Sequence, residues 1–230
     1  MVKLGKIIKW YLKTIMTTPV YEVVLFLIAL VQIGSMYLFN GYFLLIFVSS
    51  ILSFPIMAIL SGTGVYRDKS AQLLELNLFK DRRKIALAKF VSVTLSFLPV
   101  FAFNSAFLSI HHYSFLIIPS ILSMLVLISL ISVSALYRSS SKAVISTMMY
   151  AFLIPMAIDA LLNNYMMLQT HPSIVFSAIS YIFSPIFSIY YFKVGLIELM
   201  PWEGYIFSLI FSLIVITISI FLSEELEIKP

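Results

Sequence analysis

Several apolar runs in this sequence are long enough to cross a lipid bilayer as α-helices. About 20 residues suffice, because a helix rises about 1.5 Å per residue and the hydrocarbon core is about 30 Å thick. Residues 205–222, for example, contain no charged side chain. Charged residues make up 11% of the chain and hydrophobic residues 61%, which excludes a soluble globular domain and a disordered chain. The apolar runs do not alternate with polar residues, which excludes a β-barrel.

The sequence therefore predicts an all-α polytopic membrane protein with a single transmembrane domain over 1–230. Six transmembrane helices are predicted, at 21–39, 42–61, 85–108, 115–137, 143–163 and 205–222. The run 174–192 is long enough for a seventh, but Pro185 near its middle suits a re-entrant hairpin equally well. We favour six helices with an external re-entrant element, within 165–204, before the last helix.

The amino-terminal segment, 1–18, is predicted to be an interfacial elbow helix. At 100° per residue, its four lysines fall within an arc of about 120°, opposite a row of apolar side chains. Such a helix lies in the membrane interface with its lysines toward water and anionic headgroups. Thr18 and Pro19 then suit the cap and first position of the next helix. The segment is either a basic anchor or a mechanical element.

Basic residues are distributed unevenly along the chain. Four precede the first predicted span, seven lie in 62–89, two in 138–142 and one in the tail. With six spans, all of these segments share one side, which holds fourteen of the fifteen basic residues. The positive-inside rule makes that side cytoplasmic. Both termini are thus predicted to be cytoplasmic and the protein to lie in the cell membrane. A seventh span would move only the carboxyl-terminal tail, with its one basic residue, to the external side. The positive-inside rule therefore does not exclude a seventh span.

Motifs of common enzymes are absent from the sequence. It contains no phosphate-binding loop, no Gly-x-Ser-x-Gly and no His-Glu-x-x-His. Without cysteine, a thiolate metal site or cysteine nucleophile is impossible. The three histidines fall in predicted external loops, where solvated side chains are commoner than metal ligands. We therefore predict no enzymatic activity, no metal, no cofactor and no nucleic-acid partner.

Asp159 is an ionisable residue inside a predicted span. A charge at the bilayer centre costs about 2.5–3.5 kcal/mol on insertion scales, and Asp159 lies toward the outer end, where the cost is smaller. It either lines a transport path, or lies at the external interface or pairs with a neighbour. The sequence leaves these interpretations open.

The segment 62–89 is the one long charged stretch. It opens with Arg67-Asp68, continues with a leucine-rich helix over 73–78, and leads through Asp81-Arg82 to Leu87-Ala88-Lys89. This order resembles the loop between the second and third helices in permease subunits of ABC-2 type ABC transporters. Ser70-Ala71 and Phe79 depart from the Gly-Thr and Pro that are usual in the family. The basic elbow helix before Pro19, and Ser184-Pro185 in the region before the last helix, also resemble that family.

The resemblance implies a permease subunit of an ABC exporter. Such a subunit forms the translocation path in the lipid bilayer with a second permease chain, as a homo- or heterodimer. Separate ABC ATPase subunits bind ATP and Mg and dock on a coupling helix in the loop 62–89. The implied coupling residues are Arg67, Asp68, Leu73, Leu74, Glu75, Leu76, Arg82 and Arg83. We expect Leu73, Leu74 and Leu76 to form the apolar docking side and the charged residues to form its rim.

Other interpretations stay open. The loop helix could lie on the bilayer, because basic loops bind anionic lipids. The chain could also be a membrane scaffold or assembly subunit without a transport path. An ion-coupled carrier acting alone is disfavoured, because carriers usually show inverted repeats and several charges inside the membrane.

Overall fold

The computed structural model of the chain describes residues 3–38, 74–75, 77–79, 81–110, 112–134, 145, 149 and 153–225. Its regular secondary structure in these residues consists of helices, with no strand among them. The elements are α1 (Leu4–Met16), α2 (Pro19–Leu38), α3 (Arg82–Ile110), a 3-10 turn (Ser114–Leu116), α4 (Ile117–Ser134), α5 (Ile154–Met167), α6 (Ile174–Phe183), α7 (Pro185–Lys193) and α8 (Pro201–Glu225). The predicted span 42–61 and the turn 138–142 lie outside the described residues.

Three helices in the described part of the chain are long and apolar enough to cross a membrane: Arg82–Ile110, Ser114–Ile131 and Pro201–Leu222. A fourth is possible if the bent pair of Leu4–Met16 and Pro19–Leu30, which meet at 65°, is one span. The prediction of an all-α protein with membrane-length helices is thus confirmed for these residues. The predicted number of six spans stays a prediction.

Helix α3 begins with a capped amino terminus. The carboxylate of Asp81 accepts a hydrogen bond of 3.1 Å from the backbone N–H of Lys84 and forms a 2.7 Å ion pair with its Nζ. The hydrogen bond from the Lys84 side chain lowers the pKa of Asp81, as expected for a carboxylate at a helix amino terminus. From this cap α3 runs for 29 residues, about 43 Å.

Two apolar clusters lie at opposite ends of α3. The first, here the α1 cluster, joins α1 to the first two thirds of α3 and to the second half of α4; its members include Ile7, Tyr11, Ile15, Ile85, Phe97 and Ile128. The second, the Tyr181 cluster, joins the end of α3 and the 3-10 turn to α5, α6 and α7; its members include Leu108, Leu116, Leu162, Tyr181 and Tyr191. The α1 cluster contains the first part of α3 and the second half of α4. The two helices are therefore antiparallel.

Helix α8 connects the two ends of the molecule. It begins against Tyr181, whose carbonyl accepts a 2.7 Å hydrogen bond from the hydroxyl of Ser208. Near its other end, the ring centroid of Phe221 lies 5.5 Å from the guanidinium carbon of Arg83 at the start of α3. Helix α8 is therefore antiparallel to α3 and ends at the α1 side.

The chain bends sharply between α6 and α7. The hydroxyl oxygens of Ser188 and Ser180 lie 3.0 Å apart, whereas eight residues of continuous helix would separate them by about 12 Å. Ser184 interrupts the helix with φ −146° and ψ 62°, and Pro185 begins α7. The predicted break at Pro185 is thus present, and it divides 174–192 into two short helices.

Candidate functional site

The described part of the predicted coupling loop lies against α1 and the start of α3. Residues 74–75 and 77–79 are helical and are called here the loop segment. Its Glu75 forms a 2.7 Å ion pair between Oε2 and the Nζ of Lys89 in α3. Glu75 is only 2% exposed and Lys89 only 6%. The loop segment is therefore joined to α3 by an ion pair that is shielded from water.

Helix α1 contacts both the loop segment and α3 beside this ion pair. The Nζ of Lys89 lies 5.5 Å from the ring centroid of the buried Tyr11, within the range of a cation–π interaction. The ring of Trp10 meets the ring of Phe79 edge-on, with centroids 5.7 Å apart. The hydroxyl of Ser92 in α3 also donates a 3.1 Å hydrogen bond to a backbone carbonyl of α1, that of Ile8. The elbow helix, loop segment and α3 thus form one connected unit.

A neighbouring side of the loop segment, about 100° around its axis, is exposed to water. At 100° per residue, Leu74 and Leu78 share one face, and Glu75 and Phe79 share another. Leu74 is 60% exposed and Leu78 is 56% exposed, and Asn77 beside them is also exposed. The loop segment thus presents an apolar face away from α1 and α3.

This arrangement differs in part from the sequence-based expectation. Leu74 is outward, as a docking side requires, but Glu75 points into the protein instead of forming a charged rim. The physical reason is Lys89, whose ammonium group needs a buried counter-charge. Arg82 is partly exposed and Arg83 is exposed at the start of α3. Four further predicted coupling residues lie outside the described residues: Arg67, Asp68, Leu73 and Leu76.

Asp159, the predicted path-lining residue, lies at the other end of the molecule. It is half-buried in α5, beside the buried Ile158 and near the buried Leu162. The hydroxyl of Tyr191 in α7 donates a hydrogen bond of 3.0 Å to its Oδ1. Of the interpretations drawn from the sequence, pairing with a neighbour is therefore observed. A role in lining a path stays a prediction.

Further polar contacts, which the sequence did not indicate, hold α7 and the segment after it. The Nζ of Lys193 lies 3.1 Å from the ring centroid of Phe115 in the 3-10 turn. The Nδ1 of His171 lies 3.1 Å from the carbonyl oxygen of Leu196 and 3.9 Å from Oε1 of Glu198. Within the described residues, no group of three His, Asp or Glu side chains is placed to hold a metal ion.

Comparison with known proteins identifies no relative. No family model, no curated protein and no solved structure matches the chain. The resemblance to ABC-2 permease subunits therefore depends on the residue pattern alone and stays a prediction.

Proposed function

We propose that the chain is the permease subunit of an ABC exporter, and that separate ATPase subunits hydrolyse ATP. The observation that supports this function best is the loop segment. It is fixed to α1 and α3 by a buried ion pair and aromatic contacts, yet its leucine face is exposed. A rigid attachment on one side and an apolar face on another are what a coupling element needs.

The attachment gives a physical route for coupling. A partner that pushes on Leu74 and Leu78 would move the loop segment as a body. Because Glu75 is paired with Lys89, seven residues into α3, that displacement would act directly on a membrane-length helix. The same displacement would reach α1 through Trp10 and Phe79. A scaffold that only recruits partners does not require this connection to α3.

We further propose six spans, with both termini and the loop segment on the cytoplasmic side of the cell membrane. The end of α8 lies beside Arg83, at the same end of the molecule as α1, which supports an even number of crossings. The uneven distribution of basic residues supports the orientation. Helices α6 and α7 have 10 and 9 residues, too few for either to cross a bilayer. This length and the bend at Ser184 support a re-entrant element on the external side.

The translocation path is proposed to form between two permease chains, with Asp159 in its lining. Asp159 belongs to the α5–α7 contact at the external end. A half-buried carboxylate beside a tyrosine hydroxyl offers a polar position in otherwise apolar surroundings. Such ionisable groups inside membrane proteins commonly mark substrate pathways.

The direct test is reconstitution with an ATPase encoded next to the gene for this chain. The expected result is a complex of two permease and two ATPase chains that exports substrate from vesicles in the presence of ATP and Mg. A matched complex whose ATPase lacks its phosphate-loop lysine should assemble but not transport. A chain that binds no such ATPase, and purifies without one from native membranes, would contradict the proposal and favour the scaffold.

A further inference from the structure

The Glu75–Lys89 ion pair is buried, although the neighbouring Leu74 in the loop segment is exposed. Both groups are withdrawn from water, and the second carboxylate oxygen of Glu75 is buried with no hydrogen-bond partner among the described residues. Taking charges out of water is unfavourable unless the geometry of the pair compensates for it. Such pairs often add little stability, and their best-attested role is to select one arrangement over another.

A competing arrangement of the loop segment is easy to identify. Turning the segment about its axis by roughly a third of a circle would bring Leu74 and Leu78 inward and carry Glu75 and Phe79 outward. Among the described residues, that turn would bury two leucines in exchange for one phenylalanine and one carboxylate. Because leucines lie on several sides of the segment, burial of apolar surface alone does not exclude the turned arrangement. The observed arrangement has the two leucines 60% and 56% exposed.

We infer that Glu75 and Lys89 are positioning residues that set the rotation of the loop segment. The attraction between Nζ and Oε2, at 2.7 Å, holds Glu75 inward. Without Lys89 the buried carboxylate would lose its counter-charge and would turn toward water. Tyr11 of α1 lies beside the pair, with its ring centroid 5.5 Å from Nζ, and shields it from water. The pair thereby keeps the Leu74–Leu78 face available. This inference concerns the position of the segment and holds for any partner, so it does not depend on the proposed function.

The chain has no cysteine, so single cysteines can report the rotation in the purified full-length protein. Leu78→Cys reports the outward face and Phe79→Cys the inward face, by the rate of reaction with a water-soluble maleimide. The labelling rate of each cysteine variant is measured in the presence and in the absence of Lys89→Met. Loss of the pair should slow labelling at position 78 by about tenfold and accelerate it at position 79 by a similar factor.

Two controls separate rotation from other effects. Lys84→Met breaks the partly exposed pair with Asp81 and should change neither rate, because ion pairs that water can reach contribute little. The exchanged pair Glu75→Lys/Lys89→Glu should restore the original rates, which a loss of packing alone would not allow. If Lys89→Met does not fold, Lys89→Gln, which also removes the counter-charge of Glu75 but keeps a polar side chain, should give the same reversal.

The rates distinguish the alternatives. Opposite changes at the two positions, restored by the exchanged pair, support the inference. Unchanged rates would overturn it, because the pair would then be unnecessary for the position. Faster labelling at both positions would also overturn it, because the pair would then only attach the segment. No ATPase enters the assay, so failure here is distinct from failure of the proposed function.

Discussion

The hydroxyl of Tyr191 donates a hydrogen bond of 3.0 Å to Oδ1 of Asp159, and this bond joins α7 to α5. The tyrosine is 4% exposed, and the surrounding side chains belong to the Tyr181 cluster. A tyrosine hydroxyl is neutral, so the hydrogen bond orients the carboxylate without neutralising its charge. Asp159 therefore combines a fixed orientation with a charge in a mainly apolar region.

The first prediction concerns that charge. Asp159→Asn should reduce export by about tenfold or more, because a contact between the substrate and the charged carboxylate, worth about 1.5–3 kcal/mol, would become a contact with a neutral amide. The asparagine oxygen can still accept the hydrogen bond from Tyr191, so the yield of assembled complex should not change. Tyr191→Phe is the control, because it removes the hydrogen bond and keeps the charge. Export by Asp159→Asn at the original rate would mean that Asp159 only pairs with its neighbour.

The contrast between Pro185 and Glu75 shows what the sequence alone can predict. The break at Pro185 agrees with the hydrogen bond that a helix loses at proline, but Pro99 lies inside the continuous helix α3, so proline alone does not decide where a helix breaks. The start of α3 was marked by charges at 82–84 before an apolar run. The inward position of Glu75 was not predictable, because leucines lie on several sides of the segment and give it no single apolar face. The contact between Tyr191 and Asp159, 32 residues apart, likewise has no local signal.

The second prediction concerns the packing of α8 on α6. A Cβ atom on Gly204 would overlap the ring of Tyr181, so only glycine allows this close approach. Gly204→Ala should force the helices apart at a cost of about 1–3 kcal/mol and lower the melting temperature by about 2–12 °C. Gly34→Ala in α2 is the control, because its added Cβ would meet no atom within 4 Å. Thermal unfolding in detergent measures both, and equal melting temperatures would contradict the close contact.

The third prediction tests the topology by labelling single cysteines in intact cells. Glu198→Cys should react with a membrane-impermeant maleimide from outside, since this side chain is 76% exposed and lies in the predicted external region. Asn77→Cys, on the exposed face of the loop segment, should react only after the cells are permeabilised. Lys229→Cys should behave like Asn77→Cys if there are six spans, whereas labelling from outside would indicate seven. Labelling of Asn77→Cys in intact cells would contradict the proposed orientation.

The last prediction concerns the outward face of the loop segment. Burial of one leucine contributes about 1.5–3 kcal/mol, so Leu74→Asp/Leu78→Asp should weaken ATPase binding by about a hundredfold or more. Membrane insertion should persist, because both side chains are already exposed and the pair of Glu75 with Lys89 is unchanged. Asn77→Asp adds charge to the same face without removing a leucine, so its affinity for the ATPase should fall by less than about tenfold. Co-purification of the ATPase with each variant gives the comparison. Full binding by the double variant would mean that this face contacts lipid, because no protein groove could accept two aspartates in place of two leucines without a large loss of affinity.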